Sequence, residues 1–347
     1  MSWKNKNLDK LAKQEKIIKK KQIKSTEKLN KKNFTTLDEK DWEPYLEKGY
    51  FIARAVEVQK KYVFLAPEKK ELEIDTKDVW LATIAKKFLQ NIRTQRNFIV
   101  VGDRVLCKES DHEKSEDFPQ CTIEFRAPRK TEMSRIDPLL SNREHVLATN
   151  ITQLIIVASY LNPKVKWGLI DRFLVQAEHE KIKASIILNK SDLLNDSLSS
   201  DEFREECQTY EKLYKDLGYH VLSFEATKAQ KNKKERSKLR DLFENEISLM
   251  VGHSGVGKSS ITNLLNPEIE QEVETEEILR RGRHTTTYTS LLKLEKGGFI
   301  IDSPGIKSFI LQKLDPFSLA WGFAEMRPYL NKCRYRKCKH HIEPGCM

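Results

Sequence analysis

Apolar residues along this chain keep two different rhythms, and the change falls near Asn150. Over residues 49–129 they come in short runs that alternate with polar positions: 50–58, 61–65, 98–101 and, after a Gly102-Asp103 turn, 104–107. Period-two alternation broken by turns predicts a small antiparallel β-barrel. Val79, Ile84, Phe88 and Ile92 are spaced as on one helix face, so an insert over 77–93 is expected to be helical. A short helix over 41–47 is expected to precede the barrel. A basic barrel of this size suits an oligonucleotide-binding (OB) fold, and Arg126, Arg129, Lys130 and Arg135 on its exit segment point to RNA.

Past Asn150 the apolar runs become continuous. Residues 154–158, 184–188, 220–224 and 247–251 read as strands, the first as one buried on both faces. Helical spacing fills the intervals at 169–181, 203–217 and 239–246, and 291–294 with 298–301 predict a hairpin. Strands alternating with helices predict a mostly parallel sheet with right-handed crossovers.

The strand at 247–251 runs into Gly252-His253-Ser254-Gly255-Val256-Gly257-Lys258-Ser259-Ser260, which fits G-x-x-x-x-G-K-[ST] and leads into a helix over 260–265. Such a loop turns its N–H groups inward around a polyphosphate, and the helix N-terminus adds its positive end. Lys258 is placed to reach the β- and γ-phosphates and Ser259 to ligate Mg²⁺. Asn189-Lys190-Ser191-Asp192 follows the strand at 184–188. A carboxylate there can accept from both N1–H and the exocyclic amine of guanine, which makes the nucleotide GTP; adenine would leave it unpaired. Asn189 is expected to tie this turn to the phosphate loop, and the stem of Lys190 to cover the base.

Two further signals complete the set. Asp302-Ser303-Pro304-Gly305 follows the hairpin, where Asp302 can hold Mg²⁺ through water and the Gly305 N–H can bond the γ-phosphate. Residues 281–287, R-G-R-H-T-T-T, lie where a mobile switch covers Mg²⁺, with Thr286 as the threonine ligand. GTPases ordinarily run phosphate loop, switch threonine, DxxG, then NKxD. Here NKSD comes first, an order that a circular permutation produces without altering strand contacts.

The C-terminal segment carries Cys333, Cys338 and Cys346 with His340 and His341. Three thiolates and one imidazole form a closed tetrahedral zinc set, and spacing admits either histidine. Lysines and arginines interleave with these ligands and suggest a surface for RNA.

Charge and composition narrow the class. The chain has 347 residues and a net charge of +11. Residues 1–33 hold twelve lysines against Asp9, Glu15 and Glu27, an arm suited to phosphate backbones. No stretch approaches a membrane span and the N-terminus has no secretory core, so a cytoplasmic protein without membrane contact is expected. Cys107, Cys121 and Cys207 are then not expected in disulfides and read as small core or surface residues.

In this order, N-K-S-D, G-H-S-G-V-G-K-S-S, G-R-H-T-T-T, D-S-P-G and C-x₄-C-x-H-x₅-C resemble the RsgA (YjeQ) family of circularly permuted GTPases, over residues 49–346. The resemblance implies a multidomain protein: a basic arm (1–40), an N-terminal OB-type β-barrel (41–135), a central α/β circularly permuted P-loop GTPase domain (136–312) and a C-terminal helical zinc-binding domain (313–347). It implies a ribosome-stimulated GTPase that acts late in maturation of the small (30S) ribosomal subunit, as a monomer that binds the subunit's rRNA in the GTP state and leaves with GDP. By motif, Asn189, Lys190, Ser191 and Asp192 fall to guanine and Gly252 to Ser260 to the phosphates. Cys333, Cys338, His340 and Cys346 fall to one structural Zn²⁺. Mg²⁺ accompanies GTP. Ile306 stands where Ras-like enzymes place a water-orienting glutamine, so His284 becomes the candidate to position water, beside Lys258 as the charge stabiliser. The sequence departs from the family at Glu225-Ala226-Thr227, in place of Ser-Ala-Lys, although the Ala226 N–H can still serve guanine O6. It also carries a longer arm, and it stops at Met347 where family members continue with a helix.

Overall fold

The computed structural model describes residues 36–59, 62–85, 98–110, 118–137, 143–194, 199–266, 289–295, 297–302, 309, 311, 314–335, 338, 340 and 342–347. Residues 1–35 of the expected arm, the switch segment with His284 and Thr286, and Ser303 to Ile306 lie outside them.

Five strands make the N-terminal barrel: β1 (Phe51–Val58), β2 (Val63–Pro67), β3 (Trp80–Ile84), β4 (Arg104–Glu109) and β5 (Gln120–Arg126). They run in the order β1-β2-β3-β5-β4, and β4 pairs back onto β1, so the barrel closes. Every pairing is antiparallel except β3 with β5. Closure consumes the edge N–H and C=O groups that an open sheet would expose. Ala53 and Ala55 alternate inward on β1 and leave room for Leu65, Val105 and Ile123 in the interior. A short helix, α1 (Glu43–Leu46), follows Trp42, which is buried against Leu106 and Ala127.

Two expectations fail here. The first part of the supposed helical insert is strand β3: Ala82 is buried between β2 and β5, whose ladders both need a partner. The residues at 98–101 are a buried bend instead of a strand; Asp103 accepts the Val100 N–H at 2.8 Å and fixes it. Two of the basic residues on the exit segment, Arg126 and Arg129, are engaged within the protein. Arg129 donates to both oxygens of Asp103, at 2.8 and 2.9 Å, and to Glu132 at 2.7 Å. Arg126 donates to the Phe98 carbonyl at 2.9 Å, and Lys130 pairs with Glu71 at 2.9 Å. These two arginines hold the barrel to its exit segment, which leaves exposed Lys130 as part of the basic surface that the sequence suggests.

An antiparallel ribbon, β6 (Glu132–Asp137) with β7 (Arg143–Thr149), leads out of the barrel; no apolar pattern in the sequence signals it. Then comes the α/β sheet: β8 (Gln153–Ser159), β9 (Lys183–Asn189), β10 (His220–Ser223), β11 (Ile247–Val251), β12 (Ser290–Lys293) and β13 (Phe299–Asp302). Its order is β10-β9-β8-β11-β13-β12, parallel throughout except β12. Strand β11 is central and lies beside β8, which precedes it by almost a hundred residues. This neighbourhood is what a permuted chain requires.

Helices α2 (Trp167–Glu180), α3 (Ser191–Leu194), α4 (Asp201–Asp216), α5 (Ala226–Lys231), α6 (Lys233–Phe243) and α7 (Lys258–Leu265) flank the sheet. Alternate residues of the buried strands feed two cores. Leu154, Ile156, Ile186, Leu249 and Val251 pack with α2 and α4 on one face. Ile155, Val157, Ile187, Met250 and Ile300 pack with α6 and α7 on the other. Each such side chain contributes about 1.5–3 kcal/mol of burial, which makes β8, β9 and β11 a rigid platform for the loops at their C-terminal ends.

Beyond β13, Phe309 is fully buried with its ring 4.4 Å from that of Phe173 on α2. Helix α8 (Pro316–Gly322) is capped by Asp315, which accepts from the Phe317 and Ser318 N–H groups, and it lies on the far end of α2. Strand β1 also meets β12, pairing Glu57 with Ser290, so the barrel is hydrogen-bonded to the GTPase sheet.

Candidate nucleotide and metal sites

The loop between β11 and α7 sits on the C-terminal edge of the sheet, where open α/β folds bind ligands. Its glycines are demanded by close approach. A Cβ on Gly252 would lie 2.1 Å from the Val157 carbonyl oxygen, and one on Gly257 would lie 2.2 Å from Asn189 Nδ2. Gly257 has φ +99° at the start of α7, a conformation that L side chains rarely adopt. Ser254, Gly255, Ser259 and Ser260 form the exposed rim, while Val256 anchors the loop in the core.

Asn189 is the hub. It is buried, its Nδ2 donates to the Val256 carbonyl at 2.9 Å, and its Oδ1 accepts from the Ala226 N–H at 3.3 Å. One amide thus joins three loops: the end of β9, the phosphate loop and the turn after β10. Lys190, at φ +61°, lays its stem across the same gap and donates from Nζ to Gly255 O at 2.9 Å and also to Asn162 O. Ser191 is held by its N–H to Phe224 O at 3.1 Å, and Asp192 stands exposed beside it at the start of α3.

Lys258 is almost buried and donates to Gly252 O at 3.0 Å and His253 O at 3.1 Å. Burial pulls its pKa down, and the negative charge of Asp302 opposes the pull. Asp302 ends β13 in register with Met250 of β11, which brings the acid to the phosphate-loop side of the sheet. His253 Nδ1 meets Ser254 O at 2.9 Å and stays within the loop.

The loop after β8 belongs to the site as well, although none of its residues forms a recognisable motif. Tyr160, Asn162 and Pro163 reach Asn189, Lys190 and Gly255 respectively. The one signal that could have found it is position: this loop leaves the C-terminal end of a buried strand.

In the C-terminal segment, Cys333, Cys338, His340 and Cys346 bring their ligand atoms within 4.8 Å of one another. His340 Nδ1 lies 3.3 Å from Cys333 Sγ and 3.7 Å from Cys346 Sγ. Tetrahedral zinc with bonds of about 2.3 Å to sulfur and about 2.0 Å to nitrogen spaces its ligands about 3.5–3.8 Å apart, so the donor set and spacing fit a zinc ion. Backbone bonds shape the cradle, with Arg334 N–H donating to Gly345 O at 2.9 Å and Cys346 N–H to Glu343 O at 3.1 Å. His341 lies outside the described residues.

Comparison with known proteins agrees with this geometry. Residues 126–312 match the family model described as RsgA GTPase. The small ribosomal subunit biogenesis GTPase RsgA of Actinobacillus succinogenes is 40% identical over 260 residues, 75% of this chain and 71% of the relative. Its namesake from Nitrosomonas europaea is 38% identical over 256 residues, 74% of this chain and 75% of the relative. Among solved structures, YjeQ from Thermotoga maritima superposes with a TM-score of 0.60 at 26% identity, over 86% of this chain and 89% of that one. YloQ, a circularly permuted GTPase, gives 0.59 at 22% identity, over 86% of each chain, and supports the fold alone. With its NKSD turn ahead of the phosphate loop in sequence yet bonded to it in space, and with relatives matched over three quarters of its length, this chain belongs to the RsgA GTPase family.

Proposed function

We propose that this protein hydrolyses GTP to GDP and phosphate and acts in late maturation of the small (30S) ribosomal subunit, binding its rRNA in the GTP state and leaving after hydrolysis. The observation that carries the reading is the Asn189 hub, which sets a guanine-type turn against a phosphate loop. The function for which the RsgA relatives are named supplies the partner.

In this reading Asp192 accepts from guanine N1–H and the exocyclic amine, and Lys190 covers the base. The N–H groups of residues 252–260 cradle the phosphates. Lys258, which holds two loop carbonyls here, releases them for the β- and γ-phosphates. Its partly buried charge then stabilises the charge that develops in phosphoryl transfer. The Ala226 N–H already donates to Asn189 over a long bond, so guanine O6 takes it as a second acceptor or displaces the first. Ser259, Thr286 and Asp302 are the residues that would hold Mg²⁺, which would supply charge neutralisation for the phosphates. Gly305 senses the γ-phosphate, and His284 orients water. Cys333, Cys338, His340 and Cys346 hold one structural zinc, and the domain divisions at 40/41, 135/136 and 312/313 belong to the same reading. A cytoplasmic monomer without membrane contact completes it; among the described residues no helix is long and apolar enough to cross a membrane.

The test is GTP hydrolysis by the purified protein with and without small ribosomal subunits, beside ATP. Stimulation specific to GTP and to small subunits is expected. Binding of GTP without stimulated turnover would replace the enzyme by an RNA-binding assembly scaffold. Asp192→Asn is expected to shift preference to xanthine nucleotides, and an unshifted preference would remove Asp192 from the base.

A further inference from the structure

Behind the three joined loops lies one side chain that touches none of the phosphate or base positions. Tyr160 follows β8 and is fully buried. Its backbone N–H donates to the Asn189 carbonyl at 3.1 Å, and its own carbonyl accepts from Val165 at 3.1 Å, which closes the loop. Its hydroxyl lies 2.5 Å from Glu211 Oε1 on α4 and 2.9 Å from Ser223 Oγ at the end of β10. Ser223 is three residues from Ala226, whose N–H meets the Asn189 side chain. Tyr160 therefore grips the NKSD turn by its backbone and the following guanine-side turn by its phenol, while Asn189 joins the same two turns from the front.

A phenylalanine would fill this space without the desolvation cost of burying a hydroxyl. What the hydroxyl adds is the link between α4, the end of β10 and the end of β9. We propose that Tyr160 is the positioning residue of the guanine-reading loops, holding Asn189 and Ser223 in the spacing that lets Asp192 meet the base. This rests on the guanine reading above. A loop set that is held from behind discriminates bases better than one that drifts, because a carboxylate displaced by a fraction of an ångström loses its hydrogen bonds steeply.

The decisive experiment measures GDP and IDP affinities of the full-length protein and its variants; IDP lacks the exocyclic amine that Asp192 would read. Tyr160→Phe is expected to weaken GDP binding about fivefold, the worth of roughly one hydrogen bond. The preference for GDP over IDP should narrow by a similar factor, with KM for GTP raised and kcat unchanged. Equal losses for both nucleotides alongside a lower Tm would overturn the proposal and leave Tyr160 a packing residue. Ser223→Ala, at an exposed position, should reproduce the narrowing, and the double variant should add little. An unchanged preference in Ser223→Ala would also overturn it, and that variant decides alone if Tyr160→Phe does not fold. Wild-type protein that fails to prefer GDP over IDP and ADP would instead sink the guanine reading itself.

Discussion

Gly257 shows how one missing methyl group organises the site. The amide of Asn189 can reach the Val256 carbonyl only because no Cβ stands between them. Gly257→Ala forces either a strained φ or a displaced Asn189, a cost of roughly 1–3 kcal/mol. GDP affinity, read by titration, should fall at least about fivefold while the circular dichroism spectrum keeps its form. Asn189→Ala removes both bonds of the hub and leaves the Val256 carbonyl and Ala226 N–H without that partner. Two hydrogen bonds removed at about 1 kcal/mol each predict affinity about thirtyfold lower, and wild-type affinity in this variant would show that the loops hold together without the hub. These residues are legible in sequence because their chemistry is local: glycines, a lysine and an asparagine at fixed spacing. Tyr160 is not, because half of its role is played by a backbone N–H that any residue would carry.

Among the elements, β8, β9, β11 and β13 are readable as apolar runs, because a strand buried on both faces needs no partner to declare itself, and half-exposed β10 and β12 show shorter runs of the same kind. The barrel is only partly readable. Strand β3 takes helical spacing from Ile84 and the residues after it, and β5, β6 and β7 leave too weak a pattern; what makes them strands is pairing with segments far away in the chain. The destination of Arg129 is likewise invisible, since its partner Asp103 precedes it by 26 residues. At the C-terminal end, the Cys₃His set predicts one zinc per chain by metal analysis, and Cys338→Ser should lower it to none while β8–β13 stay folded. Helix α8 offers a pH test. His179 on α2 meets Ser318 O at 2.8 Å, and burial is the main cause that pulls its pKa below the ordinary histidine value, opposed by that hydrogen bond, by Asp315 and by Glu178, with Arg327 adding to the pull. A depressed histidine binds fewer protons folded than unfolded, so burial of the neutral imidazole is fully tolerated above about pH 6.5 and costs stability as pH falls below it. Hydrogen exchange over residues 315–330 should therefore speed up on acidification from pH 7.5 to 5.5 more than exchange over β11, and His179→Gln should flatten that difference.

At the scale of the whole molecule, a basic arm, a closed barrel and a permuted GTPase domain form one chain with a zinc-type cradle at its end. Removing residues 1–33, with their twelve lysines, should lower the slope of log K against log salt for small-subunit binding by about 0.7–0.9 for each phosphate that the arm neutralises. Intrinsic GTP hydrolysis should not change, and an unaltered slope would mean the arm touches no phosphate. The pairing of Glu57 with Ser290 reaches further. In an open α/β sheet the outer strand of such a hairpin is a free edge, available to any extended segment that can add itself as a further strand. Here the barrel's own first strand meets the start of that edge, at Glu57 and Ser290. A partner strand added at β12 would therefore meet the barrel at Ser290. Movement of the β12–β13 hairpin, whose second strand ends at Asp302, is thereby coupled directly to the barrel.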